Sequence, residues 1–360
     1  MSLLDLVRPD LQGFAGYSSA RKEAQGGQVF LNANESPWAP AGEAWANGLN
    51  RYPDPQPEAL IAALATLYGA TPEEVLVGRG SDEPIDLLTR ALCVAGQDAV
   101  LICPPTFGMY AVCARVQNAA VCEVPLRATD DPQAPFALDV EGVIDAARSA
   151  PVKLVYLCSP NNPTGQALPL EQIERVAEAL CGRAVVVVDE AYGEFSPLAS
   201  AVTLRARFPH LVVLRTLSKA YALAGARIGT LVGDPALVRV LRAIMAPYPL
   251  SQVCAQAALN ALSPDGLRKA RAHIDTLLAE RSRLSAAIAK LSKVKRVYPS
   301  DANFLVVAFA DAASVYRETL ARGIVLRDVS KHAALPDCLR ISVGTPEEND
   351  RLLACLESLA

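Results

Sequence analysis

The chain has 360 residues, 51% of them hydrophobic and 20% charged, which is enough apolar material for a large core and too little charge for disorder. A net charge of −4 gives no electrostatic reason to expect a nucleic acid or an anionic membrane as partner, so any anion must be held by a local set of donors. The length suggests two domains sharing one interface.

In chain order, residues 1–30 are irregular and read as an arm, and Asp5, Arg8 and Pro9 in the first ten positions argue against a signal peptide. From 31 to 250, short β-branched runs alternate with Ala/Leu-rich helical stretches. The spacing predicts strands at 74–77, 100–103, 120–124, 154–158, 185–189, 211–215 and 228–232, with helices such as 81–93 and 170–180 between them. Near-continuous apolar strands separated by helices predict an α/β fold with a mostly parallel sheet covered on both faces. Residues 251–291 have helical spacing, broken near Pro264 to Gly266. A strand at 304–309, a helix at 312–322 and a strand at 339–343 then predict a smaller C-terminal α/β domain over 251–360. Nine scattered cysteines without a Cys-x-x-Cys pair, and only three histidines, predict reduced thiols in a cytoplasmic protein and no structural zinc or other metal. The apolar stretches, such as 304–310, are far shorter than a membrane span.

In an open α/β sheet, ligands bind beyond the carboxyl ends of the strands, so the residues after each strand carry the chemistry. After 154–158 comes Ser159-Pro160-Asn161-Asn162-Pro163-Thr164-Gly165. After 185–188 comes Asp189-Glu190-Ala191-Tyr192, and after 211–214 comes Arg215-Thr216-Leu217-Ser218-Lys219, with Arg227 eight residues further on. An amine, a carboxylate, a hydroxyl and a guanidinium converge on one edge. That set suits pyridoxal phosphate: Lys219 for the aldehyde, Asp189 to keep the pyridine nitrogen protonated, and Ser218 with Arg227 for the phosphate. Upstream, Gly78-Arg79-Gly80-Ser81-Asp82-Glu83 is a glycine turn opening a helix whose first amides suit the same phosphate. Glu83 stands where a third glycine would be, so the dinucleotide fingerprint is absent. Phe107 is placed to lie against the ring. Taken singly, each piece has an ordinary reading: a solvated Ser-Lys pair, a helix cap at Asp189, a turn at Asn-Pro-x-Gly, a core Phe107. Their order and spacing carry the argument.

SPNNPTG, DEAY, SKAYALAGARIG and LRISVGT resemble, in order and gap, the signature blocks of fold-type I pyridoxal-phosphate aminotransferases over nearly the whole chain. The resemblance implies a large domain with a mostly parallel seven-stranded sheet and a smaller C-terminal domain. It gives Lys219 the role of Schiff-base lysine and Asp189 that of partner to the pyridine nitrogen. Asn162 and Tyr192 would bind the ring oxygen, Ser218, Arg227 and the Gly80-Ser81-Asp82 turn the phosphate, and Phe107 the ring face. Arg340 would take the substrate carboxylate.

LNANESP and RYPDPQ, together with CPPTFGMY and GIVLRD, are similar to segments of histidinol-phosphate aminotransferases, although Ser36 stands where Asn is common. In that family the tyrosine of RYPDPQ reaches the cofactor phosphate of the neighbouring subunit, which implies a homodimer with shared sites and gives that part to Tyr52. The implied reaction joins histidinol phosphate and 2-oxoglutarate to imidazole-acetol phosphate and glutamate, in histidine biosynthesis. One cationic site must then serve phosphate and carboxylate in turn. Arg340 and Arg327 are the candidates, with Tyr17 on the arm and Asn34 of LNANESP as further substrate contacts. Arg327 reads equally well as a surface ion pair. A threonine-phosphate decarboxylase, an aromatic amino-acid aminotransferase or a non-catalytic cofactor-binding regulator would share much of this machinery. LNANESP and RYPDPQ favour the first reading.

Overall fold

The computed structural model describes residues 3–17, 29, 31–39 and 48–359. Its strands in chain order are β1 (Val75–Arg79), β2 (Ala99–Ile102), β3 (Ala120–Glu123), the ribbon β4 (Arg127–Ala128) and β5 (Phe136–Ala137), β6 (Val152–Cys158), β7 (Val185–Asp189), β8 (Leu211–Thr216) and β9 (Ile228–Val232). Four more follow: β10 (Val294–Tyr298), β11 (Phe304–Phe309), β12 (Arg327–Asp328) and β13 (Cys338–Ser342). They form a seven-stranded sheet in the order β1-β9-β8-β7-β6-β2-β3 and a four-stranded antiparallel sheet in the order β10-β11-β13-β12.

Side chains of the large sheet alternate between two cores, as the pleat requires. Val185, Val187, Val212 and Leu214 face the helices Asp82–Leu92, Met109–Val116 and Pro235–Ile244. Val186, Val188, Leu211 and Val213 face Val140–Ser149 and Leu170–Ala179. Helices on both faces are why these strands are apolar at every position instead of every second one. The strands β3, β2, β6, β7 and β8 pair in parallel, while β9 runs against both β8 and β1. The reversal at β9 follows from the short loop 217–227. Adjacent antiparallel strands accept a short connection, whereas parallel ones need a long crossover.

The break expected near Pro264 is a helix junction. One helix, Gln252–Ala261, ends there and Pro264–Ile288 begins with Ser263 as N-cap and Pro264 at the first turn, where its missing N–H costs nothing. This second helix, about 37 Å long, packs Leu284 and Ile288 on the small sheet. Of the expected arm, residues 1–2, 18–28 and 30 lie outside the described residues. Its start is docked: Leu6 and Val7 are buried in the main core, and the Arg8 N–H donates to the Ala91 carbonyl at 2.9 Å. Among the described residues no helix is long and apolar enough to cross a membrane.

Candidate active site

The carboxyl ends of β1, β6, β7 and β8 open on one cavity of about 520 Å³, partly open to solvent. At the end of β8 the Thr216 hydroxyl accepts from the Ser218 N–H at 3.1 Å and lies 3.2 Å from the Ile228 carbonyl, which closes the start of the loop onto β9. Lys219 follows and lines the cavity, its Nζ 5.8 Å from the centre of the Tyr192 ring. Burial, and then the positive charges of Arg340 and Arg227, hold its pKa below the ordinary lysine value. The amine is therefore neutral for a larger share of the time than that of a surface lysine.

Asp189 ends β7 and is 2% exposed. Its carboxylate accepts from the Tyr110 hydroxyl at 2.7 Å and from the Ala191 N–H at 3.1 Å. Burial nevertheless pushes its pKa up to about 6, against the pull of those two bonds. Among the described residues no lysine, arginine or histidine forms an ion pair with it. Its neighbour Glu190 points elsewhere, into a buried pair with Arg215 at 2.7 Å, and accepts from the Ser200 hydroxyl at 2.6 Å.

Another part of the cavity wall is a glycine turn opening a helix. Gly80 has φ +73°, and a Cβ there would come within 2.5 Å of the Arg227 guanidinium. A Cβ on Gly229 would lie 2.1 Å from the Gly80 carbonyl carbon, so both glycines are needed for the turn to lie against β9. The Gly80 N–H donates to the Arg227 carbonyl at 2.9 Å, and the free amides of the helix Asp82–Leu92 begin just beyond. Arg227 Nη2 donates to Asp82 at 3.2 Å, and Ser81, Asp82, Ser218 and Arg227 all line the cavity. Phe107, Asn162 and Tyr192 complete its walls, and burial raises the Tyr192 phenol above its ordinary range, keeping it a proton donor.

A second, more open cavity of about 980 Å³ shares Phe107 and Asn162 with the first. Its outer wall is the small sheet, where Arg327 and Arg340 are cross-strand partners. The Arg340 guanidinium donates to Asn162 Oδ1 and lies over the Phe304 ring at 5.3 Å. An amine, a buried anion, a phosphate-type turn and two arginines thus line two adjoining cavities.

A sequence profile of the family described as Aminotransferase class I and II matches residues 29–356. The chain is 56% identical over 356 residues to the histidinol-phosphate aminotransferase of Stenotrophomonas maltophilia (strain R551-3). It is 54% identical over 358 residues to that of Xylella fastidiosa (strain 9a5c); 99% of this chain and 97% of each relative are covered. The chain belongs to the histidinol-phosphate aminotransferases of class I and II. The solved structure of histidinol-phosphate aminotransferase from Sinorhizobium meliloti in complex with pyridoxal-5'-phosphate aligns with TM-score 0.75 and 29% identity over 86% of this chain and 84% of that one.

Pyridoxal phosphate is accordingly the cofactor of this aminotransferase, and the cavity fits it on its own terms. A buried carboxylate without a counter-charge is costly, and a protonated ring nitrogen supplies that charge. The turn made by Gly80 and Gly229 suits a phosphate, and Lys219 suits an aldehyde.

Nine of the residues singled out from sequence line the first cavity, and Gly80 shapes its edge. Tyr17 is 64% exposed and Asn34 is exposed at φ +54°; neither lines either cavity. Tyr52 is also outside them, with its ring stacked on Tyr248 at 4.4 Å. Glu35 knits the two family segments together: one carboxylate oxygen accepts from the Tyr52 N–H at 2.6 Å and the other from Arg51 at 2.9 Å. Sequence reading passed over Tyr110, Thr216 and the pair Lys331-His332, which lines the second cavity.

Proposed function

We propose that the chain exchanges an amino group between histidinol phosphate and 2-oxoglutarate, giving imidazole-acetol phosphate and glutamate, with Lys219 as the proton carrier. The observation that carries this reading is the pair of unbalanced groups in one cavity, a buried Asp189 without a cation and a Lys219 whose charge is disfavoured. When bound, pyridoxal phosphate supplies an electrophilic carbon that captures amines and a ring that draws electrons from the substrate carbon. Asp189, fixed by Tyr110 and Ala191, would hold the ring nitrogen, and Asn162 with Tyr192 the ring oxygen. The Gly80-Ser81-Asp82 turn, Ser218 and Arg227 would hold the phosphate, and Phe107 the ring face. Lys219 Nζ takes up the proton released at the substrate carbon and returns it in the next step. Arg340 and Arg327 receive the phosphate of histidinol phosphate and a carboxylate of glutamate in turn, since guanidinium forks suit both anions.

The working unit in this reading is a cytoplasmic homodimer. Tyr52, held by Glu35 and half-exposed beyond its own cavity, serves the phosphate of the neighbouring copy. Nine free cysteines accord with a reducing compartment. Mixing two weakened variants, Lys219→Ala and Tyr52→Ala, tests the sharing. Recovered activity in the mixture is expected, and none would place Tyr52 in its own subunit.

The main test is a single-turnover absorbance measurement on the holoenzyme. Histidinol phosphate alone should bleach the band of the bound cofactor, and 2-oxoglutarate should restore it with release of glutamate. Bleaching by phenylalanine only, or carbon dioxide release from threonine phosphate, would assign the chain a different reaction.

A further inference from the structure

The outer cavity holds more positive charge than the two arginines supply. β12 is only two residues long, and the chain turns at once: the Ser330 N–H donates to Asp328 Oδ1 at 2.8 Å, and the His332 N–H donates to the Val329 carbonyl at 3.1 Å. Val329 is buried and pins this turn to the sheet. The result is that Lys331 and His332 join Arg327 and Arg340 in lining one cavity, together with Met109 and Val112. Asp328, the one carboxylate lining that cavity, is engaged by the turn. Among the described residues neither Arg327 nor Lys331 has an ion-pair partner. The basic residues Arg268, Lys269, Arg271 and Arg283 along the long helix, in contrast, are all paired with carboxylates.

Like charges collected around a cavity repel one another until an anion enters. A phosphate monoester carries close to two negative charges near neutral pH and a carboxylate one. Arg340 balances a carboxylate; the second charge of a phosphate falls to the outer cations, Arg327 and Lys331 together. Resting on the reaction proposed above, we infer that Lys331 is a specificity-determining residue. With Arg327 it forms an outer anion subsite that takes the second charge of a phosphate-bearing amine and so favours it over amines lacking that group. His332, lining the same cavity, supplies a ring nitrogen to the same anion.

Steady-state kinetics of the holoenzyme with histidinol phosphate and with unphosphorylated histidinol test this. Lys331→Gln should raise KM for histidinol phosphate about threefold to tenfold, as expected for one partly exposed charge-assisted contact, with kcat nearly unchanged. It should leave kcat/KM for histidinol as it was, and Lys331→Arg should restore the phosphate preference. Added salt should weaken the wild type more than Lys331→Gln. Lys290→Gln, at an exposed site outside both cavities, controls for net charge. Equal losses with both amines, or an unchanged KM for histidinol phosphate, would overturn the inference. A wild-type enzyme inactive with histidinol phosphate would sink the proposed reaction and this inference together; an active wild type with an indifferent Lys331→Gln sinks the inference alone.

Discussion

The two ends of the site hold their charges by opposite means. Asp189 sits at the tip of a strand buried on both faces, with two hydrogen bonds and almost no exposure. Arg327 and Lys331 sit on a two-residue edge strand and the turn after it, exposed and without carboxylate partners among the described residues. The inner end is preorganised by the backbone of the large sheet and suits one permanent cofactor. The outer end is made of long, adjustable cations and suits two different anions in alternation. Between them, Arg340 bonds Asn162 and so ties the small sheet to the large one.

If the inner end is the fixed chemical machine, damage there should cost rate. Lys219→Ala should lower kcat by on the order of 10³-fold or more with an unchanged circular dichroism spectrum, since no other amine lines the inner cavity. Retained turnover would end the account. Asp189→Asn should lower kcat by about 10²-fold through loss of the anion facing the ring.

The same variant carries a pH signature in the apoprotein. The folded pKa of Asp189 is about 6 against 3.8 for an ordinary aspartate, so the native state binds the extra proton between these values. Ionising the buried group costs stability, a cost absent below pH 4 and complete once the pH has risen above 6. Urea unfolding should therefore show Asp189→Asn gaining on the wild type by about 3 kcal/mol between pH 3 and pH 7, roughly two pKa units. An equal difference at both pH values would show that Asp189 ionises without penalty.

Damage at the outer end should fall on substrate capture. Arg340→Lys should reduce kcat/KM for both the amine and the oxo acid about 10- to 30-fold, because an ammonium cannot reproduce the guanidinium fork. A pure kcat effect would move Arg340 into the inner group. The smallest effect expected is on cofactor retention. Gly229→Ala, whose methyl collides with the Gly80 backbone, should weaken pyridoxal phosphate about tenfold, whereas Gly225→Ala, with nothing within 4 Å, should not. Equilibrium titration of the apoenzyme reads both.

The sequence was legible where function follows a strand end. Asp189, Lys219 and the Asn162 loop each sit directly after an apolar run, so the sheet predicts their convergence. The central strands β7 and β8 were equally open to reading, because burial on both faces leaves the runs 185–188 and 211–214 without polar interruption. By contrast, β10 was not legible: Lys295 and Arg296 break its pattern, and one side of this edge strand meets solvent. Glu190 reads in sequence as a match for Asp189, yet successive residues leave a strand on opposite sides, and Glu190 turns to Arg215. Glu35 and Tyr110 act through contacts with residues 17 and 79 positions away, and no local spacing reports such pairings.

The one reversed strand has a consequence for how this enzyme can change. Because β9 runs back beside β8, the loop bearing Lys219 leaves and re-enters the same edge of one sheet, moored at Thr216 and at Arg227. In the proposed roles of Lys219 and Arg227, the eight positions from lysine to arginine would work as a ruler between the aldehyde and phosphate ends of the cofactor. Insertions elsewhere at that edge lengthen a wall of the pocket, but an insertion here changes the measured distance itself.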